Sequence, residues 1–132
     1  MTLQKAFNAK TVLITGHTGF KGAWLTAWLK QLGAKVIGIA LDPPTGPSHF
    51  VAANLTNGMT DLRIDIRNQV ALEEAIVSAQ PDFVFHLAAQ ALVRQSYDDP
   101  VETWQTNLLG TMHILEAFRK LDKSCAAVII TS

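Results

Sequence analysis

Apolar residues along the chain fall into short runs that alternate with stretches of helical spacing. Residues 12–15 form an apolar run ending at a glycine, and the amphipathic stretch 20–32 follows, stopped by Gly33. Residues 35–41 (KVIGIAL) are a second run, β-branched and too short for a helix. The segment 42–48 (DPPTGPS) reads as a loop by composition, and 49–55 as one helical turn or two. A third strand is predicted over 60–66, a helix over 68–79 ended by Pro81, a fourth strand over 82–87 and a loop over 88–97. Pro100 opens a long helix to about residue 121, capped by Asp98 or Asp99. A fifth strand covers 125–131.

Strands alternating with helices, each strand a nearly continuous apolar run, predict a doubly wound α/β fold with a parallel sheet covered on both faces. In the long helix, Val101, Trp104, Leu108, Leu115 and Phe118 share a stripe that Leu109, Met112 and Leu121 widen. So broad an apolar face predicts packing against more than the sheet, as in a homo-oligomer.

The segment joining the first run to the first helix carries the candidate chemistry. It reads TGHTGFKG, with Gly16, Gly19 and Gly22 at intervals of three. In this position Gly16 permits a sharp turn, Gly19 lets backbone approach a pyrophosphate, and Gly22 lets the helix pack closely. Free amides and the positive end of the helix dipole make an anion site there. Lys21 sits in the first helical turn, where a cation costs about 0.3–1 kcal/mol unless an anion lies beside it. Either a bound pyrophosphate supplies that charge, or the lysine head is simply solvated.

Other candidates follow the strands, where this fold binds ligands. Asp42 either reaches back to a ribose or only initiates the proline turn; counting from the glycines puts the usual ribose acid at Ala40. Asp65 either accepts from an adenine amino group or caps the next helix. The segment HLAAQ, residues 86–90, ends the fourth strand in small residues that let backbone and a flat ring approach closely.

Composition narrows the classes. With 132 residues the chain is long enough for one domain, and 48% hydrophobic against 17% charged residues indicates a globular one. Eleven basic residues balance eleven acidic ones, which gives no electrostatic case for nucleic acid or an anionic membrane. No signal peptide or membrane-length apolar run is visible, and the single cysteine, Cys125, suits a reducing cytoplasm and reads as a small buried strand residue. The four histidines lack metal-ligand spacing, so no metal is expected; His113 with Glu116 reads as a helix-face pair.

Together, TGHTGFKG at 15–22, DIR at 65–67, HLAAQ at 86–90 and TNLLGT at 106–111 resemble the extended short-chain dehydrogenase/reductase family. Within it the likeness is greatest to the CDP-glucose 4,6-dehydratases, through GHTGFKG, ALDPPTGPSHF and AAQALVRQSYDDPVETWQTNLLGT. The resemblance implies an NAD-binding Rossmann fold and a role for each matched position. Gly16, His17, Thr18, Gly19, Phe20, Lys21 and Gly22 would wrap the NAD pyrophosphate, and Asp65 and Ile66 would contact adenine. Leu87, Ala88, Ala89, Gln90 and Ala91 would line the cofactor cleft. Thr106 would touch the cofactor from the long helix, and Asn107 would hold the active-site backbone. Ser132 matches the Ser/Thr that bonds the sugar hydroxyl being oxidised, and Arg94 and Ser96 would face the substrate.

The implied reaction converts CDP-glucose to CDP-4-keto-6-deoxyglucose by oxidation at C4, loss of water across C5 and C6, and hydride return to C6. Such a product leads to deoxysugars of bacterial surface polysaccharides (lipopolysaccharide O-antigen). The resemblance also implies a tyrosine base with a lysine four residues later, yet Tyr97 is followed at that distance by Val101. Residues 1–132 therefore read as a single dinucleotide-binding domain, the N-terminal portion of a longer enzyme whose Tyr–Lys pair and substrate-gripping region are absent here. A nucleotide-sugar epimerase, a GDP-mannose 4,6-dehydratase and a non-catalytic nucleotide-binding module remain as alternatives.

Overall fold

The computed structural model of the protein describes residues 2–130. A short helix α1, Leu3–Phe7, precedes the first strand; the apolar pattern does not announce it. Strand β1 (Thr11–Thr15) leads through the glycine turn into α2 (Phe20–Gln31), then β2 (Lys35–Ala40), the single turn α3 (His49–Ala52), β3 (Thr60–Arg63) and α4 (Gln69–Ala79). Strand β4 (Phe83–His86) is followed by α5 (Val93–Asp98) and α6 (Pro100–Trp104). A π-helical turn, Gln105–Leu109, continues into α7 (Gly110–Phe118), and β5 (Ala126–Ile129) completes the sheet.

The described strands are all parallel, in the order β3-β2-β1-β4-β5. This is the doubly wound fold that the pattern predicts. Winding reverses between β1 and β4, and at such a switch point a crevice opens beyond the strand ends. Alternation along β1 shows why both faces are covered: Leu13 packs into a cluster with Ile39, Ile76 and Ile114, while Val12 and Ile14 pack with Leu29 and Val36. Register aligns Leu62, Ile39, Thr15, His86 and Ile129 in one row across the C-terminal edge of the sheet. Thr15 and His86 are therefore direct neighbours.

Punctuation follows the sequence at most boundaries. Gly33 ends α2 at φ +82°, Gln80 ends α4 in the left-handed region just before Pro81, and Asp99 caps α6 by accepting from the amide of Glu102.

Four expectations are corrected. Strand β3 stops at Arg63, short of residue 66. Residues 93–98 of the expected loop form α5. The long helix ends at Phe118, and its π turn, whose bonds run i to i+5, advances the chain by an extra residue and rotates the predicted stripe. Gly110, Ile114 and Ala117 face the core, with Phe118 and Leu121 packed against it, while Val101, Trp104, Leu108, Leu109, Met112 and Leu115 lie exposed. Cys125 sits just ahead of β5, half-buried, with burial raising its thiol pKa.

Candidate functional site

The glycine turn stands at the C-terminal end of the central strand. Gly16 adopts φ +78°, and a Cβ there would lie 2.8 Å from the amide nitrogen of Ala88, so the turn closes directly on the chain leaving β4. A Cβ on Gly22 would meet the Gly16 carbonyl carbon at 2.8 Å, so the first turn of α2 rests on the turn's own backbone. Gly19 differs: a Cβ there meets nothing nearer than the Gly16 carbonyl oxygen at 3.4 Å. The outer side of the turn is thus open. As N-cap of α2, Gly19 has no side chain to cap the helix, so the amides of Phe20, Lys21 and Gly22 lack helical acceptors. Backbone donors, the helix dipole and an open approach fit an anionic group such as a pyrophosphate. Lys21 is exposed, with no ion pair among the described residues.

His17 and Thr18 turn the other way. The His17 ring is fully buried, its Nε2 lies 2.7 Å from Oδ1 of Asp61 on β3, and it meets the Phe50 ring edge-on. Room for the ring comes from Gly38, where a Cβ would sit 2.6 Å from Nδ1. Burial lowers the His17 pKa despite the Asp61 carboxylate. Only the backbone of His17 faces the turn's outer side. Thr18 donates its hydroxyl to the carbonyl of Leu41 at 3.0 Å and fastens the turn to the end of β2.

Beyond Leu41, Asp42 is almost fully exposed, and its Oδ1 lies 3.6 Å from Arg63. The same guanidinium bonds Asp61 at 2.9 Å and the Leu41 carbonyl at 2.9 Å. Asp61 and Arg63 went unread in the sequence, because only the β2–β3 register brings them beside the turn.

Asp65 follows β3 as expected, but Asn68, not Asp65, caps α4 by accepting from the amide of Ala71. The Asp65 carboxylate is gripped by the Arg67 guanidinium at 2.6 to 3.1 Å, which holds its pKa below the usual carboxylate value. Arg67 also bonds Glu102 at 3.2 Å. Ile66 is buried beneath Gly110, so its backbone is the part left to contact a ligand. Its carbonyl accepts from His113 Nδ1 at 2.8 Å, while Glu116 pairs with Arg119 at 3.2 Å. The predicted His113–Glu116 pair is therefore replaced by a tie between α7 and the loop after β3.

A cavity of about 320 Å³ opens beyond β4. Ala88, Ala89, Gln90 and Ala91 line it, joined by His86, Ser96, Thr103, Asn107 and Thr111. Leu87 lies on the strand side and packs with the Val12–Ile14 cluster. Asn107 stands on the π turn and bonds Gln90 twice: its Oδ1 accepts from the Gln90 amide at 2.8 Å, and its Nδ2 donates to the Gln90 carbonyl at 3.0 Å. Its neighbour Thr106 is half-buried outside the lining. Ser96 faces the cavity from α5, whereas Arg94 lies exposed and outside the lining. Ile130 brings the chain to the cavity's edge; Ser132 lies outside the described residues.

The sequence model of the family described as GDP-mannose 4,6 dehydratase matches residues 13–132. The chain belongs to this family of extended short-chain dehydrogenase/reductases. It is 48% identical over 126 residues to the CDP-glucose 4,6-dehydratase of Salmonella typhimurium, covering 96% of this chain and 35% of that one. It is 35% identical to the probable dTDP-glucose 4,6-dehydratase of Sinorhizobium fredii, covering 83% and 31%. Among solved structures, the UDP-glucose 4-epimerase of Thermus thermophilus, in complex with NAD, superposes with a TM-score of 0.74 at 33% identity, covering 84% and 34%. The chain spans about a third of the length of these relatives. No described helix is long and apolar enough to cross a membrane.

Proposed function

We propose that the chain is the NAD-binding portion of a nucleotide-sugar 4,6-dehydratase whose full-length form converts CDP-glucose to CDP-4-keto-6-deoxyglucose. The observation that carries the substrate is the 48% identity to the Salmonella enzyme, which runs across 96% of the chain. The cofactor reading rests on the glycine turn, which fits a pyrophosphate, and on the NAD complex of the similar Thermus epimerase. When bound, NAD would accept hydride from C4 of the sugar and return it to C6 after water is lost.

The chain's own residues would bind and orient. The amides of Phe20, Lys21 and Gly22 would hold the pyrophosphate, and the Lys21 charge would be relieved by it. Asp65 and the Ile66 backbone would border adenine, with Asp42 beside the ribose. The segment 87–91, stapled by Asn107, would form the wall against which the reacting ring lies. Ser132 would bond the sugar hydroxyl, and Arg94 and Ser96 would stand on the substrate side. The exposed face from Val101 to Leu115 would pair copies into a homo-oligomer. The enzyme would act in the cytoplasm, the reducing compartment that a single free cysteine suits.

Mass spectrometry of products from the full-length enzyme separates the readings. A dehydratase releases a sugar nucleotide lighter by one water, an epimerase leaves the mass unchanged, and a binding module yields neither. Faster turnover of GDP-mannose or dTDP-glucose than of CDP-glucose would overturn the substrate. Tighter binding of NADP than of NAD would overturn the cofactor.

A further inference from the structure

His86 is buried at the end of β4, with a hydroxyl on each side of its ring. Nδ1 lies 2.6 Å from the Thr15 Oγ1, and Nε2 lies 3.0 Å from the Thr111 Oγ1. The outer partners decide which way every proton points. The Thr111 hydroxyl donates to the Asn107 carbonyl at 2.7 Å, an oxygen that can only accept. Its one proton is spent there, so Thr111 must accept from His86, and Nε2 carries the hydrogen. On the other side, Thr15 Oγ1 accepts from the Ala88 amide at 3.2 Å, which leaves its own proton for a bare Nδ1. No charged partner faces the ring, and burial alone holds its pKa near 4, so the neutral form is the one present.

The result is one directed chain, from the Ala88 amide through Thr15, His86 and Thr111 to the Asn107 carbonyl. Asn107 in turn grips Gln90 by both amide and carbonyl. The segment from Ala88 to Gln90 is thereby held at its two ends by a single network. We propose that His86 is a positioning residue, a neutral Nε2–H tautomer near neutral pH that sets the direction of this network and fixes the cleft wall for the cofactor. The cofactor part rests on the function proposed above; the tautomer does not. A histidine suits the task because it is a donor and an acceptor at once, on opposite edges of one rigid ring.

The test uses the full-length protein with 15N-labelled histidine. His86 is assigned by its loss in His86→Gln, and its nitrogen shifts are read between about pH 6 and pH 8. The expected result is a bare Nδ1 and a protonated Nε2 throughout. An Nδ1–H tautomer, or an exchanging mixture, overturns the proposal. In parallel, Thr111→Val removes the acceptor at nearly constant shape and should weaken NAD binding about tenfold, whereas Thr111→Ser should restore it. The loss should fall on KM for NAD, with kcat little changed. Equal affinities for the Val and Ser variants would overturn the role in the cleft. If even the unaltered protein binds no NAD, the cofactor reading falls, and the nitrogen shifts still decide the tautomer.

Discussion

At the glycine turn the cleft is shaped by side chains that are missing, whereas at the wall after β4 it is shaped by side chains that bond one another. Gly16 and Gly22 let three pieces of backbone approach within contact distance, and Gly19 leaves the outer surface bare. Across the crevice, Thr15, His86, Thr111 and Asn107 come from four different elements and satisfy each other's polar atoms. The difference predicts opposite sensitivities. The turn should fail when atoms are added, and the wall should fail when polarity is removed or a proton is added.

The largest effect should follow a methyl group placed at Gly22. Its Cβ would meet the Gly16 carbonyl, which belongs to backbone and has no room to retreat. Gly22→Ala should cost about 4 kcal/mol in denaturant unfolding, near the upper end for single substitutions. A cost under about 1 kcal/mol would mean that the turn is softer than its packing implies.

Proton uptake should probe the wall. The His86 pKa is depressed from 6.5 in the unfolded chain to about 4 in the fold, so the unfolded state binds more protons between those values. The stability present above pH 6.5 should decline as pH falls toward 4, by about 3 kcal/mol in total, and then level off. His17, shifted the same way by burial, adds to the slope. A His86→Leu variant should show a shallower decline. An unchanged slope in that variant would place the titration elsewhere.

Asn107→Ala removes both bonds to Gln90 while sparing the turn, and should cost about 1.5 kcal/mol. Smallest is Asn68→Ala, which strips the α4 cap outside both regions and should cost about 1 kcal/mol. It should leave the pH profile untouched, which makes it a control for the other three.

The two regions also differ in how far they could be read from sequence. Glycine spacing between a strand and a helix is local, so TGHTGFKG disclosed the turn's place and shape. Caps and stops were legible for the same reason: Gly33 and Asp99 act within a few residues of themselves. The wall depends on register. Nothing in HLAAQ announces that its histidine faces Thr15 of β1 and Thr111 of α7, because those partners are 71 and 25 residues away. The π turn that carries Asn107 leaves no mark in composition either, since TNLL suits a regular helix equally well. His17 illustrates the mixture: its place in the turn was evident, but its inward ring depends on Gly38 in the adjacent strand. Asp65 was placed at the correct strand end, while its capture by Arg67 and the transfer of the cap to Asn68 depend on how the chain leaves β3.

Gly19 tests most directly whether the bare outer face of the glycine turn holds the NAD pyrophosphate. Its backbone lies in the extended region, at φ −75° and ψ 170°, which any residue adopts, and a Cβ there makes only an ordinary contact. Calorimetric titration of the full-length protein with NAD should show binding by the unaltered chain. In Gly19→Val it should show at least about a hundredfold loss of affinity, while the lost N-cap preference lowers the melting temperature by only a few degrees and leaves the protein folded. Undiminished NAD binding by a folded Gly19→Val protein would contradict the account.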